Sequence, residues 1–153
     1  MRKALFLLVG LLLVLLIVFS ESILSKPQPP TEFISITLYN TPINFETMDP
    51  GQTQLAVNNP LIISVDSNVN FDIEVAADAN DFESSKDSFP VSNMQWNIIN
   101  SFPGTAYVKA NTLIYSSQSA GNYTMYHQLT TPPAQPAGAY SVGITITASG
   151  TKK

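Results

Sequence analysis

The sequence predicts an all-β protein, a single antiparallel β-sandwich preceded by a hydrophobic N-terminal signal or anchor segment. Over residues 61–75, apolar side chains take most odd positions and polar ones most even positions, which is the period of half-buried strands. Similar stretches recur at roughly ten-residue spacing with turn residues between them, which gives about eight or nine short strands. We find no convincing amphipathic helix and no internal repeat.

The N-terminus differs in kind from the rest of the chain. It begins with a short cationic stretch, and residues 4–19 then contain no polar side chain. This is the layout of a secretory signal, and the run is shorter than the about 20 apolar residues that a spanning helix needs. Small residues at positions 20 and 22 favour cleavage after Ser22, so residues 1–22 are expected to be a signal peptide.

Two alternatives for this segment stay open. The Leu-rich run could remain in the bilayer as an uncleaved anchor, or a pilin-type leader could be cut between Lys3 and Ala4 to leave an assembly helix. Each alternative places residues 26–153 outside the cytoplasmic membrane. We therefore expect an extracellular or cell-surface location, with membrane contact only through residues 4–19.

Residues 23–32 are predicted to be an extended, proline-rich arm. Proline fixes φ and biases the preceding residue away from helix, so the sequence Lys-Pro-Gln-Pro-Pro at 26–30 favours polyproline II. The arm leads into the predicted sandwich domain, residues 33–150. A short tail, residues 151–153, follows it.

The strand signals follow in chain order. Alternating residues predict a strand at 34–38, and Met48-Asp49-Pro50-Gly51 has the residues of a type II turn. Residues 61–75 predict two strands joined through Asp66-Ser67-Asn68. The remaining elements are expected as follows: a polar loop at 78–90, a strand at 91–99 with Trp96 in the core, a hairpin at 105–116, a strand at 123–129, a proline-rich turn at 131–138 and a final strand at 140–148.

Composition excludes several functions. The net charge is −4 and the lysines are scattered, so the basic patch that nucleic-acid binding needs is missing. With no cysteine and one histidine, Cys–His and multi-histidine metal sites cannot be built. His127 alternates with apolar residues, which favours a place in the core over a catalytic role. No Gly-x-Ser-x-Gly pattern occurs, and we expect no enzyme and no catalytic residues.

Calcium is the one cofactor that the sequence leaves open. Hard cations prefer carboxylate and amide oxygens, and the acidic loop offers Asp78, Asn80, Asp81 and Glu83. A solvated acidic loop with no ion explains the same residues. Apart from calcium, we expect no cofactor.

Two surface features could carry modification or binding. Asn122-Tyr123-Thr124 is an Asn-x-Ser/Thr sequon at the start of a predicted strand, which makes Asn122 a glycosylation candidate in an exported protein. Four tyrosines expected to be exposed could form a binding strip, although cross-strand packing accounts for them as well. They are Tyr39, Tyr107, Tyr115 and Tyr126.

Two parts of the sequence resemble a known group of proteins. The first runs from residues 45–51 through 60–65 to 70–73, and the second is Pro-Ala-Gly-Ala-Tyr at 136–140 with the alternating residues after it. Both are similar to parts of exported Ig-like sandwiches. Together with the cysteine-free chain and the N-terminal arm, they resemble archaeal surface proteins related to the TasA/camelysin fibre subunits and to archaeal bundling pilins.

The resemblance implies a jelly-roll-like sandwich that assembles into a pilus or a biofilm fibre by donor-strand complementation. An N-terminal strand of one subunit would complete the sheet of its neighbour, and the donor candidates are Phe33, Ile34, Ile36 and Leu38. The same strand can instead pair within its own domain. The expected function is a structural filament subunit whose partner is a second copy. The alternatives are a membrane-anchored binding or adhesion module and a calcium-dependent adhesive or carbohydrate-binding domain.

Overall fold

The computed structural model describes residues 30–151. The chain divides into two units, Met1–Thr31 and Glu32–Lys153, and the fold below is that of the second. The predicted signal or anchor at 1–22, the arm up to residue 29 and the last two residues of the tail lie outside the described residues. Between residues 30 and 151, no helix is long and apolar enough to cross a membrane.

The described chain is built from eleven β-strands and one turn of 3₁₀-helix at Val91–Asn93. The strands are β1 (Ile34–Tyr39), β2 (Thr53–Leu55), β3 (Leu61–Ser67), β4 (Phe71–Ala77), β5 (Asp81–Glu83), β6 (Ser88–Pro90), β7 (Met94–Asn97), β8 (Thr105–Ala106), β9 (Thr112–Gln118), β10 (Gly121–Thr130) and β11 (Ile144–Gly150).

The strands form an antiparallel β-sandwich, which confirms the predicted fold class. One sheet has six strands in the order β1-β3-β10-β7-β8, with β2 paired to the end of β10. The other main sheet has the order β11-β4-β9, and β5 and β6 form a separate hairpin. Every strand pairing is antiparallel.

The clearest sequence pattern, residues 61–75, forms the centre of the core. The odd-numbered apolar residues of β3 and β4 are buried: Leu61, Ile63, Val65, Phe71, Ile73 and Val75. The two strands lie in different sheets, so the turn at 68–70 carries the chain across the sandwich. The odd-numbered side chains of both strands therefore meet in the core between the two sheets.

Strand β1 is an edge strand that pairs only with β3 among the strands described. Its register runs from Ile34 opposite Ser67 to Tyr39 opposite Ile62. Ile34 and Ile36 are half-buried against the core, whereas Leu38 and Tyr39 at the end of the strand are exposed. Because side chains alternate along a strand, β1 contributes one short apolar face to the edge of the sandwich.

The predicted type II turn is confirmed. The backbone N–H of Gln52 donates to the carbonyl of Asp49 at 3.1 Å, which closes the turn, and Gly51 has φ of 78°. Glycine adopts a positive φ without the clash that a Cβ would cause, and proline at the preceding position presets the turn.

Two predicted elements are wrong, one because a polar segment contains a local hairpin and the other because two strands enter different sheets. The loop at 78–90 contains the β5–β6 hairpin, in which Phe82 and Phe89 are buried and stack at 4.8 Å. The hairpin at 105–116 does not form, because β8 and β9 lie in different sheets. The connection is held by the carbonyl of Val108, which accepts from the backbone N–H of Ala77 at 2.9 Å.

The final strand begins later than predicted, at Ile144 rather than at residue 140. Just before it, Ser141 pairs with Glu83, and the carbonyl of Gly143 accepts from the backbone N–H of Asp78 at 2.9 Å. The hairpin β5–β6 and the end of β4 therefore hold this segment outside the regular ladder of β11.

Candidate functional site

An apolar cleft opens where the two main sheets separate at one edge of the sandwich. At the end near the turn at 68–70, β1 and β11 lie close together, and a Cβ built on Gly150 would lie 3.9 Å from Cδ1 of Ile34. At the opposite end the strands diverge, and a cleft of about 650 Å³ opens with Leu38 and Ile144 among its lining residues. The edge of the sandwich is thus closed at one end and open at the other.

The floor of the cleft consists of core side chains. These are Leu61, Phe82, Phe89, Met94 and Leu129, all of which are buried. A group that enters the cleft would therefore contact the hydrophobic core directly. Its binding would gain from removal of apolar surface from water, at about 25 cal/mol per Å².

One wall of the cleft is the irregular segment 41–50 after β1. Asn58 positions its start, because its side-chain Nδ2 donates to the carbonyls of Asn40 and Pro42, each at 2.6 Å. The Asn58 Oδ1 accepts from the backbone N–H of Asn44 at 3.1 Å. One half-buried amide side chain thus supplies the hydrogen bonds that a strand ladder would otherwise give this segment, as asparagine often does in turns.

The other wall is the segment 135–146, and Tyr140 organises it. Its hydroxyl donates to the carbonyl of Pro136 at 2.8 Å and accepts from Nε2 of Gln135 at 2.7 Å. The Tyr140 ring lies 5.2 Å from the ring of Phe89. The proline-rich turn is therefore packed onto the β5–β6 hairpin.

The rim of the cleft is polar and carries acidic charge. The two walls are joined where Thr131 donates its hydroxyl to the carbonyl of Asp49 at 2.6 Å and the N–H of Gly51 donates to Pro132 at 3.1 Å. Glu46 and Asp49 are the charged residues of the lining, and both are exposed. The cleft suits an apolar group that is accompanied by a cation.

The only histidine lies in the core, as predicted. His127 is fully buried, and its Nε2 lies 2.9 Å from the hydroxyl of Tyr107. Burial lowers the pKa of His127 to about 4, since water no longer solvates the charged imidazolium, and burial also raises the pKa of Tyr107. Nδ1 of His127 and Nε1 of Trp96 are buried without a hydrogen-bond partner in residues 30–151.

Tyr107 is not the exposed tyrosine that the sequence predicted. Only about 1% of it is accessible, because the connection from β8 to β9 passes between the sheets and carries its ring inside. Tyr39 is exposed, as expected. The four tyrosines therefore do not form one surface strip.

The calcium candidates are not gathered into a site. Oδ1 of Asp78 accepts a hydrogen bond from the hydroxyl of Thr145 at 2.7 Å, and the main-chain carbonyl of Asn80 accepts from a backbone N–H. Asp81 and Glu83 lie on β5 within a hairpin. Among the residues that the structure describes, no group of three or more His, Cys, Asp or Glu could hold a metal ion.

The glycosylation candidate and the donor-strand candidates lie in the six-stranded sheet. Asn122 is exposed at the start of β10, opposite Ser64. Phe33 precedes β1 and is 46% exposed, while Leu38 is 37% exposed at the cleft. With Ile34 and Ile36 between them, the donor candidates occupy the edge of their own sheet in the single chain.

Sequence reasoning did not predict the cleft. Its walls come from segments about ninety residues apart, and the alternation that predicts a strand at 140–148 does not show that residues 140–143 leave the ladder of β11. The available signal was three apolar residues, Ile43, Phe45 and Met48, separated by polar residues in a segment bounded by prolines at 42 and 50.

Comparison with known proteins gives only distant structural likenesses. No family model matches the chain, and no curated protein matches it. A PapD-like (ASH) domain of human CEP192 is similar with a TM-score of 0.49 and 18% identity, over 83% of this chain and 80% of that one. A family 123 glycoside hydrolase from Clostridium perfringens has a TM-score of 0.42 and 14% identity, over 78% of this chain and 25% of the hydrolase. At these values neither likeness assigns a function or a site.

Proposed function

We propose that this chain is a structural subunit of an extracellular filament or surface layer, and that copies are joined by exchange of the N-terminal strand β1. The observation that carries the proposal is the position of β1. It is the first strand of the sandwich, it lies at a sheet edge, and its ladder is made with β3 alone among the described strands. A terminal edge strand can leave and be replaced without reordering any other strand.

Exchange of β1 would conserve its contacts. The six residue pairs with β3, and the burial of Ile34 and Ile36, are the same whether β1 comes from the same chain or from a neighbour. Whether β1 pairs within its own domain or with a neighbour therefore depends on two concentrations. One is the effective concentration of the chain's own strand, and the other is the concentration of other subunits. The irregular segment after Tyr39 would serve as the hinge.

A domain without β1 would expose an unpaired sheet edge at β3. β3 would present unpaired backbone groups, and the core residues Ile63 and Val65 would lose the side chains that cover them. Such an edge accepts an added strand readily, which is the basis of β-augmentation. Each subunit would give one strand and accept one, a heterologous contact that continues into a filament when the rotation does not close a ring.

The resemblance to archaeal fibre subunits and the signal-like N-terminus support an extracellular place for this assembly. The composition supports a non-enzymatic role, since a single buried histidine and the lack of cysteine leave few nucleophile or metal sites.

A second candidate function is favoured by the cleft. Its volume of about 650 Å³ lies within the usual range of ligand sites, about 300–1,000 Å³. A cell-surface binding or adhesion module, held by an uncleaved segment 4–19, would use it for an apolar ligand. N-terminal sequencing of the exported protein separates the two, because a mature chain that begins at Ile23 has lost the anchor.

Electron microscopy of the exported protein over a range of concentrations tests the proposal. We expect filaments at high concentration. An excess of a synthetic peptide of residues 30–40 should shorten them, because it occupies β3 edges without offering an edge of its own. A peptide with lysine at the positions of Ile34 and Ile36 is the matched control and should have no effect. A full chain that remains monodisperse at high concentration would contradict the proposal.

A further inference from the structure

We infer that the outer face of the six-stranded sheet is a binding site for an extended, uncharged polysaccharide. This face, called the platform below, consists of the side chains of β1, β2, β3, β7, β8 and β10 that point away from the core. The inference goes beyond the filament function and does not depend on it. Strand β1 makes the same residue pairs with β3, and so completes the same platform, whether it belongs to the same chain or to a neighbour.

Two tyrosines, Tyr39 and Tyr126, lie on the platform. Tyr39 is opposite Ile62 of β3, and Ile62 is in turn opposite Thr124 of β10, two residues before Tyr126. Met125 is buried in the core, so its neighbours on both sides point outward. Two strand spacings of about 4.8 Å and one two-residue step of about 6.6 Å place the Cα atoms of the two tyrosines roughly 12 Å apart.

Both tyrosine rings of the platform are available to a ligand. Tyr39 is 53% exposed and Tyr126 is half-buried. Neither ring packs on another aromatic ring within residues 30–151, whereas Tyr115 and Tyr123 pack on each other at 4.9 Å. The face of a sugar ring presents C–H groups that pack against an aromatic ring, and tyrosine supplies this contact at a small cost in conformational entropy. Because the two tyrosines are well separated, they would contact different sugar units of one chain.

The platform carries almost no charge. Asp66, at one end of β3, is the only Asp, Glu, Lys or Arg in the six strands of this sheet. The outer face of the three-stranded sheet differs, because Asp72 and Glu74 of β4 alternate with buried residues and point outward there. A charged ligand would need an opposite charge on the surface that binds it. In a chain of net charge −4, the platform is therefore suited to an uncharged ligand.

The hydroxyl groups of the platform are available for hydrogen bonds. Within residues 30–151, the side chains of Thr37, Ser64 and Thr124 have no hydrogen-bond partner. On the outer face of the other sheet, by contrast, Oδ1 of Asp72 accepts from the hydroxyl of Ser116 at 3.1 Å. Each free hydroxyl can donate one hydrogen bond and accept others, which matches a ligand that is itself rich in hydroxyl groups.

The shape of the platform favours an extended chain over a small molecule or a protein. Small ligands bind in concave pockets, whereas the face of a sheet is open. The large aliphatic residues of the platform are Ile62 and Leu55, too few for the apolar core of a protein interface, which covers about 800 Å² on each partner. A polysaccharide offers hydroxyl groups at the edges of its rings and C–H groups on their faces, and the platform has side chains for both.

Affinity electrophoresis tests the inference. The full-length exported protein carries Asn122→Gln, because a sugar attached to this residue of the platform would compete for the face. It is run at low concentration through native gels that contain hydroxyethylcellulose, laminarin, mannan or dextran, which are uncharged, or alginate, which is acidic. We expect at least one uncharged polysaccharide to slow the protein and alginate to leave its mobility unchanged. The inference is overturned when no uncharged polysaccharide slows the protein, or when alginate slows it most.

Substitutions locate the binding on the platform. Tyr39→Ala and Tyr126→Ala should each weaken the binding by roughly three- to tenfold, the scale of one aromatic contact. Thr124→Lys places a long charged side chain between the two tyrosines and should reduce the binding below detection. The matched control is Thr147→Lys, since Thr147 is exposed in the middle of β11 on the other sheet, and its binding should be unchanged. Full binding by Thr124→Lys and by both tyrosine variants overturns the inference.

Nitration of tyrosine needs none of these substitutions, so misfolding of a variant cannot affect it. The protein is treated with tetranitromethane with and without the polysaccharide that slows it, and mass spectrometry gives the rate at each tyrosine. We expect the polysaccharide to slow nitration of Tyr39 and Tyr126 several-fold and to leave Tyr140, at the cleft, unchanged. Equal protection of all three overturns the inference. So does protection of Tyr39 and Tyr126 by a higher protein concentration alone, which would make the platform an interface between copies.

Discussion

Acidification from pH 7 to pH 5 is expected to destabilise the fold through His127, the only histidine of the chain. The imidazole is fully buried, and its Nε2 lies 2.9 Å from the hydroxyl of Tyr107. Burial lowers the pKa of His127 from 6.5 to about 4. The unfolded chain therefore binds a proton at a higher pH than the folded chain does, and stability falls as the pH drops below 6.5 toward 4.

The magnitude follows from the shift in pKa. One pKa unit corresponds to about 1.4 kcal/mol, so full protonation of both states would cost roughly 3 kcal/mol. Between pH 7 and pH 5, where the folded imidazole stays largely neutral, the linkage relation gives a loss of about 2 kcal/mol. With a urea dependence of about 2 kcal/mol per M, the unfolding midpoint should fall by about 1 M.

Urea unfolding at pH 7 and pH 5, followed by the fluorescence of the single tryptophan Trp96, measures this loss. The control is His127→Gln, which cannot take up a proton and should show a much smaller difference between the two pH values. Equal midpoints for the natural protein at pH 7 and pH 5 would refute the reasoning. So would a difference that His127→Gln retains in full.

Two further predictions concern packing and a third concerns metal binding. Gly104→Ala should destabilise the protein by about 1–3 kcal/mol, because its Cβ would overlap the backbone carbonyl of Trp96, whereas Gly121→Ala meets only ordinary contacts and should be nearly neutral in urea unfolding. Phe82→Ala should cost about 3–5 kcal/mol, since it removes a buried ring stacked at 4.8 Å on Phe89, and a thermal melt that stays unchanged would refute this. A chelator should leave the melting temperature unchanged, because the acidic loop does not gather its oxygens; a lower value would indicate a bound ion.

The sequence predicts the centre of this fold well, because the relevant signal is local. Alternation marks β3, β4 and β10 directly, and the burial of Ile63, Ile73 and Met125 agrees with their parity. The Pro-Gly turn is predicted for the same reason, since its geometry depends on adjacent residues. His127 is placed in the core by its apolar neighbours in the alternating pattern.

Prediction from the sequence fails where the fold brings distant segments together. Residues 105–116 look like a hairpin, but the strands enter different sheets and Tyr107 becomes a core residue. A second failure is local, because the stacking of Phe82 on Phe89 stabilises a hairpin in a region that is polar on average. The cleft depends on the divergence of β1 from β11, which is a tertiary property with no counterpart in local periodicity.

Exchange of β1 between copies is the central claim, and one cross-linking measurement tests it most directly. Thr37 of β1 lies opposite Ser64 of β3. Thr37→Cys and Ser64→Cys are placed in two differently tagged copies, which are mixed before assembly and then oxidised. Strand exchange predicts a covalent dimer that carries both tags. Filaments without this dimer, together with closure of the internal disulfide in the double variant, would show that β1 stays in its own domain and would contradict the account.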